Sequence, residues 1–402
     1  SRVPLTVRGA GTGYTGGAVP IQGGVVMSME GFTRVIEIDE MNLLAIVEPN
    51  VITGDLQRAV EGVGLFYPPD PASLNQSVIG GNVAECAGGP RAFKYGTTKN
   101  YVLGLEAVLP TGEVVKTGGK TIKNVVGYDL TKLIVGSEGT LAIITKVILR
   151  LIPKPRSRET LRATFTSIDS AVKAVVGLIQ ERIIPAAMEL IDQRSLDAVA
   201  QHLEDRTLAP DGTGALLLIE VDGTEVTVEE EAALVESACV KAGATEVLRS
   251  TNDDERNELW RVRRELSPSL RTIADLKINH DVVVPRSGIT SLFEFIQQLR
   301  ERFNLTIACF GHIGDGNIHV NIMVDSTDAE AVSRSHQAEL ALFTEIVRLE
   351  GSISGEHGIG LSKASFLSME LSHETISLMK RLKEAFDPHG ILNPGKIFPE
   401  DQ

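Results

Sequence analysis

Residues 8–28 read RGAGTGYTGGAVPIQGGVVMS, and the choice between a Rossmann fold and another nucleotide-binding architecture turns on them. Gly11, Gly13 and Gly16 have the G-x-G-x-x-G spacing of a dinucleotide fingerprint. A Rossmann loop, however, opens a helix whose N-terminus receives the pyrophosphate. Here the chain instead runs through Pro20, Gly23 and Gly24 into a β-run, so no helix start is at hand. The Rossmann reading is therefore rejected. A loop between strands remains, whose backbone N–H groups form a nest for phosphate oxygens, which glycines permit because no Cβ blocks close approach. From this stretch alone a plain glycine-rich turn stays open as well.

Outward from the loop, short β-runs (VPLTV, LLAIVEP, LGLEAVLP, TLAIITKVILRLI) punctuated by glycines fill residues 1–152. RLIPKPRSRE, 150–159, with two prolines, reads as a crossover between domains. From there to about residue 325, strands such as PAAMELID and GALLLIEVDG alternate with amphipathic helical patterns such as SIDSAVKAVVGLIQER and TVEEEAALVESACVKAG. The expected class is α+β, the second domain an antiparallel, ferredoxin-like sheet with helices on one face. Asn252 with Glu255, and Thr327 with Glu330, are expected to cap helices. The expected division is 1–152, 153–370 and a C-terminal segment, 371–402, that folds back on the first domain.

The 402 residues hold 39 Lys and Arg against 53 Asp and Glu, a net charge of −14, which argues against a broad nucleic-acid or anionic-membrane surface. Cys86, Cys239 and Cys309 are scattered, with no C-x-x-C pair for zinc or an iron–sulfur cluster. Apolar runs such as ALLLI are far too short to span a bilayer, and there is no basic-then-apolar leader, so a cytoplasmic protein is expected, peripheral to a membrane only through a partner.

Two further stretches, SVIGGNVAECAGGPRAFKYGTTKNYVLGLEAVLPTGEVV (77–115) and KNVVGYDLTKLIVGSEGTLAIITKVILRLIPKP (123–155), join the first loop in a pattern that resembles the FAD-linked oxidases of the vanillyl-alcohol oxidase type. Within that family the whole chain is similar to the group comprising the FAD-linked subunit of glycolate oxidase, D-lactate dehydrogenase and D-2-hydroxyglutarate dehydrogenase. The resemblance implies that Arg8, Gly9, Ala10, Gly11, Thr12, Gly13, Gly16 and Gly17 bind the FAD pyrophosphate. It implies that Pro69, Asp70, Gly80, Gly81 and Asn82 line the flavin and its phosphates. Gly88, Gly136, Ser137, Glu138, Gly139 and Ile144 complete the implied cofactor bed, with Lys123, Tyr128 and Asp129 supporting a loop against the flavin. Cys86 and Ala142 depart from the family pattern, which has Asn and Gly there. The first histidine is His202, well beyond the cofactor domain, so non-covalent FAD is expected, with Cys86 as the alternative point of attachment. Relatives carry several dozen residues before the strand that follows Ser1, so an incomplete start is expected, with weaker FAD binding than in a full-length form.

In GHIGDGNIHVNI, 311–322, strand alternation puts His319 and Asn321 on one face, and the Gly314-Asp315-Gly316 turn can return His312 to their side. The residues alone leave open an ordinary hydrogen-bonded pair of histidines. The resemblance implies a metal on His312, His319 and Glu356 of SGEHGIG, 354–360, and two imidazoles with one carboxylate suit Zn, Fe or Mn. It implies His357 as the base that takes the substrate hydroxyl proton, with Glu356-orienting support as its alternative role. Arg263, three residues after Trp260, is implied to hold the substrate carboxylate, aided by Lys277 and by Asn321 on the metal-bearing face; a solvated basic helix face is the other reading of Arg263.

The implied activity is oxidation of glycolate or D-lactate to the 2-oxo acid by metal-assisted hydride transfer to flavin N5. D-2-hydroxyglutarate is the alternative substrate, with Lys277, Arg271 or Arg286 as the added cation. A non-catalytic flavin-binding subunit is the alternative of another class. With no cysteine cluster for electron wiring, the electron acceptor is expected to be an iron–sulfur partner subunit, a quinone or a soluble carrier.

Overall fold

Pro155 marks the change of architecture along the chain. In the structure, a computed structural model that describes residues 2–398, one unit takes the chain up to Gly89, Gly96–Lys154 and the segment from Glu356 onward; the other takes Pro90–Tyr95 and Pro155–Gly355.

In the first unit β1 (Leu5–Arg8) and β2 (Val25–Ser28) pair in parallel, Leu5 opposite Val25. The glycine loop, 9–24, is their connection and contains no helix, as the prolines and glycines require. The C-terminal tail is tied to β1: Leu5 N–H donates to Ile391 O (2.7 Å) and Asn393 N–H to Leu5 O (2.7 Å). Beside this pair stands an antiparallel sheet of β3 (Val35–Asp39), β4 (Leu44–Val47), β6 (Val102–Val108), β7 (Val114–Gly118) and β8 (Ile143–Arg150) in the order β3-β4-β8-β6-β7. The short β5 (Leu65–Phe66) pairs with β9 (Ile152–Pro153). Leu44, Ala45, Val147 and Leu149, cross-strand neighbours on β4 and β8, are completely buried.

The second unit is built on seven antiparallel strands: β10 (Ser157–Phe165), β11 (Ala187–Asp192), β12 (Ala215–Gly223), β13 (Glu246–Arg249), β14 (Leu276–Val283), β15 (Thr306–His312) and β16 (Asn317–Val324). Their order is β13-β10-β12-β11-β15-β16-β14. The expectation of helices on one face is corrected. Helices Gln193–His202 and Asp253–Ser269 pack on Ile191, Leu216, Leu218, Phe310 and Met323, whereas Phe343 of the helix Ala329–Arg348 meets the ring of His280, which points from the opposite side of β14. The physical sign of this was the continuous run ALLLIEV: a strand covered on both sides has no polar alternation, and every residue from Ala215 to Asp222 is buried.

Asn252 caps its helix as expected, its Oδ1 accepting from Glu255 N–H (2.9 Å), and the Glu255 carboxylate also accepts from Thr251 N–H (2.7 Å) and Oγ1 (2.8 Å). Asp328, not Thr327, caps the later helix by accepting from Ala331 N–H (3.0 Å), because Thr327 is held in a turn by Asp325. Among the described residues no helix is long and apolar enough to cross a membrane.

Candidate functional site

Three loops named from the sequence meet in the first unit. Gly136 N–H donates to Val83 O (2.9 Å) and Glu138 N–H to Ala84 O (2.8 Å), which sets the 136–139 turn on the helix Ile79–Glu85. Asn393 Nδ2 donates to Gly17 O (3.0 Å) and to Glu138 O (2.9 Å), stitching the same turn to the first loop. The approach is close: a Cβ on Gly17 would stand 2.9 Å from Glu85 Oε1, and one on Gly80 would stand 2.5 Å from Pro49 Cβ. Asn82 Nδ2 donates to Thr53 Oγ1 (2.7 Å), and Gln57 Nε2 to Pro69 O (2.9 Å). Arg8 ends β1, Ile144 lies buried on β8, and Tyr128 is 95% exposed while Asp129 caps the helix Leu130–Ile134 through Lys132 N–H (2.9 Å).

The Glu138 side chain has a task that the sequence did not reveal. Its carboxylate accepts from Ile359 N–H (2.8 Å) and Gly360 N–H (2.6 Å), and burial pushes its pKa above the usual carboxylate value against the pull of those two donors. It thereby braces the segment that carries His357. The His357 carbonyl accepts from Thr15 Oγ1 (3.1 Å), its ring lies 4.8 Å from that of Tyr14, and its Nε2 is 3.8 Å from Glu356 Oε1. The candidate base thus stands beside the first glycine loop. Cys86, in the left-handed conformation that ends its helix, has Sγ 3.4 Å from Thr97 Oγ1.

In the second unit β15 and β16 form the hairpin read from GHIGDGNIHVNI, with His312 opposite Asn317 and His319 opposite Phe310. The two imidazoles face each other edge on, ring centroids 5.3 Å apart and planes at 84°. The turn needs its glycine: Gly316 has φ +83°, and a Cβ there would lie 2.1 Å from Val284 O. Gly316→Ala is expected to destabilise this unit by about 1–3 kcal/mol or more from backbone strain. Denaturant unfolding checks this; a change under about 0.5 kcal/mol would refute it.

Beneath the hairpin lies a residue that sequence reading passed over. Glu189 on β11 sits opposite His312 and has no exposed surface. One carboxylate oxygen, Oε1, meets His312 Nδ1; the other, Oε2, accepts from Arg263 Nε. Burial alone would raise the Glu189 pKa, but His312 and Arg263 more than reverse that and bring it down to about 2. Arg263 also lies 5.0 Å over the Phe310 ring, so it is buried on the site and is no solvated helix face. The available signal was a single acidic residue inside the apolar run AAMELI, 186–191, on the face shared by Ala187 and Ile191.

Lys277 Nζ donates to Ser267 Oγ (2.7 Å), and its pKa is lowered by burial and by nearby Arg271. Asn321 is committed to the sheet: its Oδ1 accepts from Asn279 Nδ2 (2.7 Å) and its Nδ2 donates to Ala308 O (3.1 Å) and His319 O (3.2 Å). Asp281, the β14 partner of His319, accepts from the N–H of Gly355, the last residue of this unit (2.9 Å). Glu356 is the next residue along the chain. His312 and His319, side by side on this hairpin, are candidate metal ligands of this unit.

Residues 1–118 match the model of the FAD binding domain and residues 154–397 that of the FAD linked oxidases, C-terminal domain. The chain is 44% identical over 400 residues to "Glycolate oxidase subunit GlcD" of Bacillus subtilis (strain 168), covering 100% of this chain and 85% of that protein. It is 38% identical over 396 residues to "D-lactate dehydrogenase" of Archaeoglobus fulgidus, covering 98% of this chain and 86% of that one. Among solved structures, p-cresol methylhydroxylase with substrate bound shares the fold with a TM-score of 0.81 at 16% identity, over 99% of this chain and 85% of that one. Two family models that between them take most of the chain, together with relatives this similar over its whole length, place the protein among the FAD-linked oxidases, as an oxidoreductase of the glycolate oxidase and D-lactate dehydrogenase type.

Proposed function

We propose that the protein is a 2-hydroxy-acid dehydrogenase that oxidises glycolate or D-lactate to the 2-oxo acid, with non-covalent FAD and one divalent metal ion, Zn, Fe or Mn. The observation that carries the reading is the Glu189 carboxylate shared by His312 and Arg263, which sets a metal-competent imidazole and an anion-binding guanidinium on one support.

The residues fit both groups. Bare backbone at Gly9, Gly17 and Gly80 lines loops so tight that a Cβ on any of them would strike a neighbour, as suits a bed for phosphates and flavin. With Nδ1 of His312 on Glu189, Nε2 is the atom through which it would hold a metal, His319 and Glu356 being the further proposed ligands. When bound, FAD supplies the hydride acceptor and the cation supplies Lewis acidity toward the substrate hydroxyl. Arg263, with Nε given to Glu189, has further N–H donors of its guanidinium for the substrate carboxylate. Lys277, its ammonium made less basic by burial, serves as a second cation nearby in the same unit. His357 accepts the hydroxyl proton at its imidazole, and Glu138 holds its segment in place while this happens. Similarity to a protein named as a subunit of glycolate oxidase favours a partner subunit as electron acceptor over a free carrier.

The test is anaerobic. A full-length form loaded with FAD and metal receives glycolate, D-lactate, L-lactate and D-2-hydroxyglutarate separately, and bleaching of the visible flavin band is followed. Fast bleaching by glycolate or D-lactate, lost with a chelator and restored by metal, is the expected result. Bleaching by D-2-hydroxyglutarate alone would transfer the assignment to that acid. A bound flavin that none of the four reduces would make the chain a flavin-binding subunit without catalysis.

A further inference from the structure

We propose that Glu189 is a positioning residue for two binding tasks at once: it orients His312 toward a metal ion and Arg263 toward a substrate carboxylate. The proposal rests on the dehydrogenase reading for the identity of those two ligands. Its own content is that a single carboxylate, which touches neither ligand, sets the affinity for both.

The geometry is fully local. Glu189 stands in the β11–β15 ladder directly opposite His312, with Leu190 opposite Gly311 and Ile191 opposite Phe310, so the backbone holds the carboxylate against the imidazole. Arg263 enters from the helix Asp253–Ser269 across the Phe310 ring, whose centroid is 5.3 Å from that of His319. The two carboxylate oxygens are divided between the two partners, Oε1 to His312 Nδ1 and Oε2 to Arg263 Nε. Both contacts belong to a fully buried carboxylate, where hydrogen bonds to a charge are stronger than at the surface.

The chemistry comes from the atoms used. A carboxylate on Nδ1 holds the neutral imidazole as its Nδ1–H tautomer, which turns the Nε2 lone pair outward and raises its basicity as a ligand. A carboxylate on Nε fixes the plane of the guanidinium while its terminal N–H groups stay available for bidentate capture of a second carboxylate. Removing the Glu189 charge therefore weakens the metal and the anion together, although the two bind to different side chains.

The experiment uses the full-length, FAD-loaded protein. Dissociation constants for Mn(II) and Zn(II) are measured by chelator competition, and those for pyruvate, a non-reducing 2-oxo acid, by perturbation of the flavin spectrum. In Glu189→Gln the metal constant is expected to rise by about 10–100-fold, with pyruvate weakened as well. Arg263→Lys, by contrast, is expected to weaken pyruvate while leaving the metal constant within about threefold. Glu189→Asp should recover part of the metal affinity. A spectroscopic readout accompanies these: in the wild type the ring nitrogens of His312 should report the Nδ1–H tautomer, and in Glu189→Gln that preference should be lost. Should Glu189→Gln fail to fold, the doubly apolar Glu189→Met, Arg263→Met variant replaces it, and its metal constant should rise to the same degree. Unchanged metal affinity in a folded variant lacking the Glu189 charge overturns this proposal and leaves the dehydrogenase reading standing. A wild-type protein that binds neither cation overturns both.

Discussion

Replacing His357 by Asn is expected to slow reduction of the bound flavin by a 2-hydroxy acid by about 10²–10⁴-fold, the usual worth of a general base. The substitution keeps a polar side chain of similar reach on a segment that is held by backbone contacts: the residue 357 carbonyl to Thr15, and Ile359 and Gly360 N–H to Glu138. None of these depends on the imidazole, so the loop should stay in place. FAD content and metal content should accordingly match the wild type, and single-turnover stopped-flow absorbance would isolate the lost step from binding. Wild-type reduction rates in His357→Asn would remove the residue from the proton transfer and reassign it to orienting its neighbour Glu356.

The second large effect is on stability. Arg263→Met should destabilise the seven-stranded unit by about 3–5 kcal/mol at neutral pH, since it takes away one partner of a buried ion pair and leaves the Glu189 carboxylate charged inside the protein. The sign of the pH dependence is set by the Glu189 pKa, which His312 and Arg263 hold at about 2 in the folded state against an ordinary value of 4.5. A depressed carboxylate pKa stabilises the fold above the unfolded value and loses that contribution as pH falls through the folded one. The wild-type advantage over Arg263→Met should therefore be full above about pH 5 and shrink from there toward pH 2. Urea unfolding of both proteins at several pH values measures this. A difference below about 1 kcal/mol at pH 7, or one that grows on acidification, would show that Arg263 does not compensate the buried charge.

Much of this protein is written locally. A glycine loop followed by Pro20 and two more glycines cannot open a helix, and that alone excluded the Rossmann fold and indicated the β1–β2 connection that is observed. The hairpin that brings His312 to His319 is likewise local, because strand alternation and a Gly-Asp-Gly turn determine which side chains share a face. The fold class comes from the same alternation of strand and helix patterns.

Other features have no local sign, because they depend on which strand lies beside which. Glu189 is 123 residues from His312 and 74 from Arg263, and only the order β12-β11-β15 and its register set them together. Asn321 looked available for chemistry from its position on the histidine face, yet its amide is consumed in binding Asn279, Ala308 and His319 within the sheet. Helices cover both faces of the sheet because the buried strands hide apolar side chains on each side, a condition that a short apolar run cannot distinguish from a buried helix. The amino-acid sequence by itself thus determined the glycine-loop connection and the histidine hairpin, whose geometry is set within a few residues. The tertiary structure alone decided the carboxylate that joins His312 to Arg263, because long-range strand pairing, and no periodicity along the chain, chooses the partner of a buried charge.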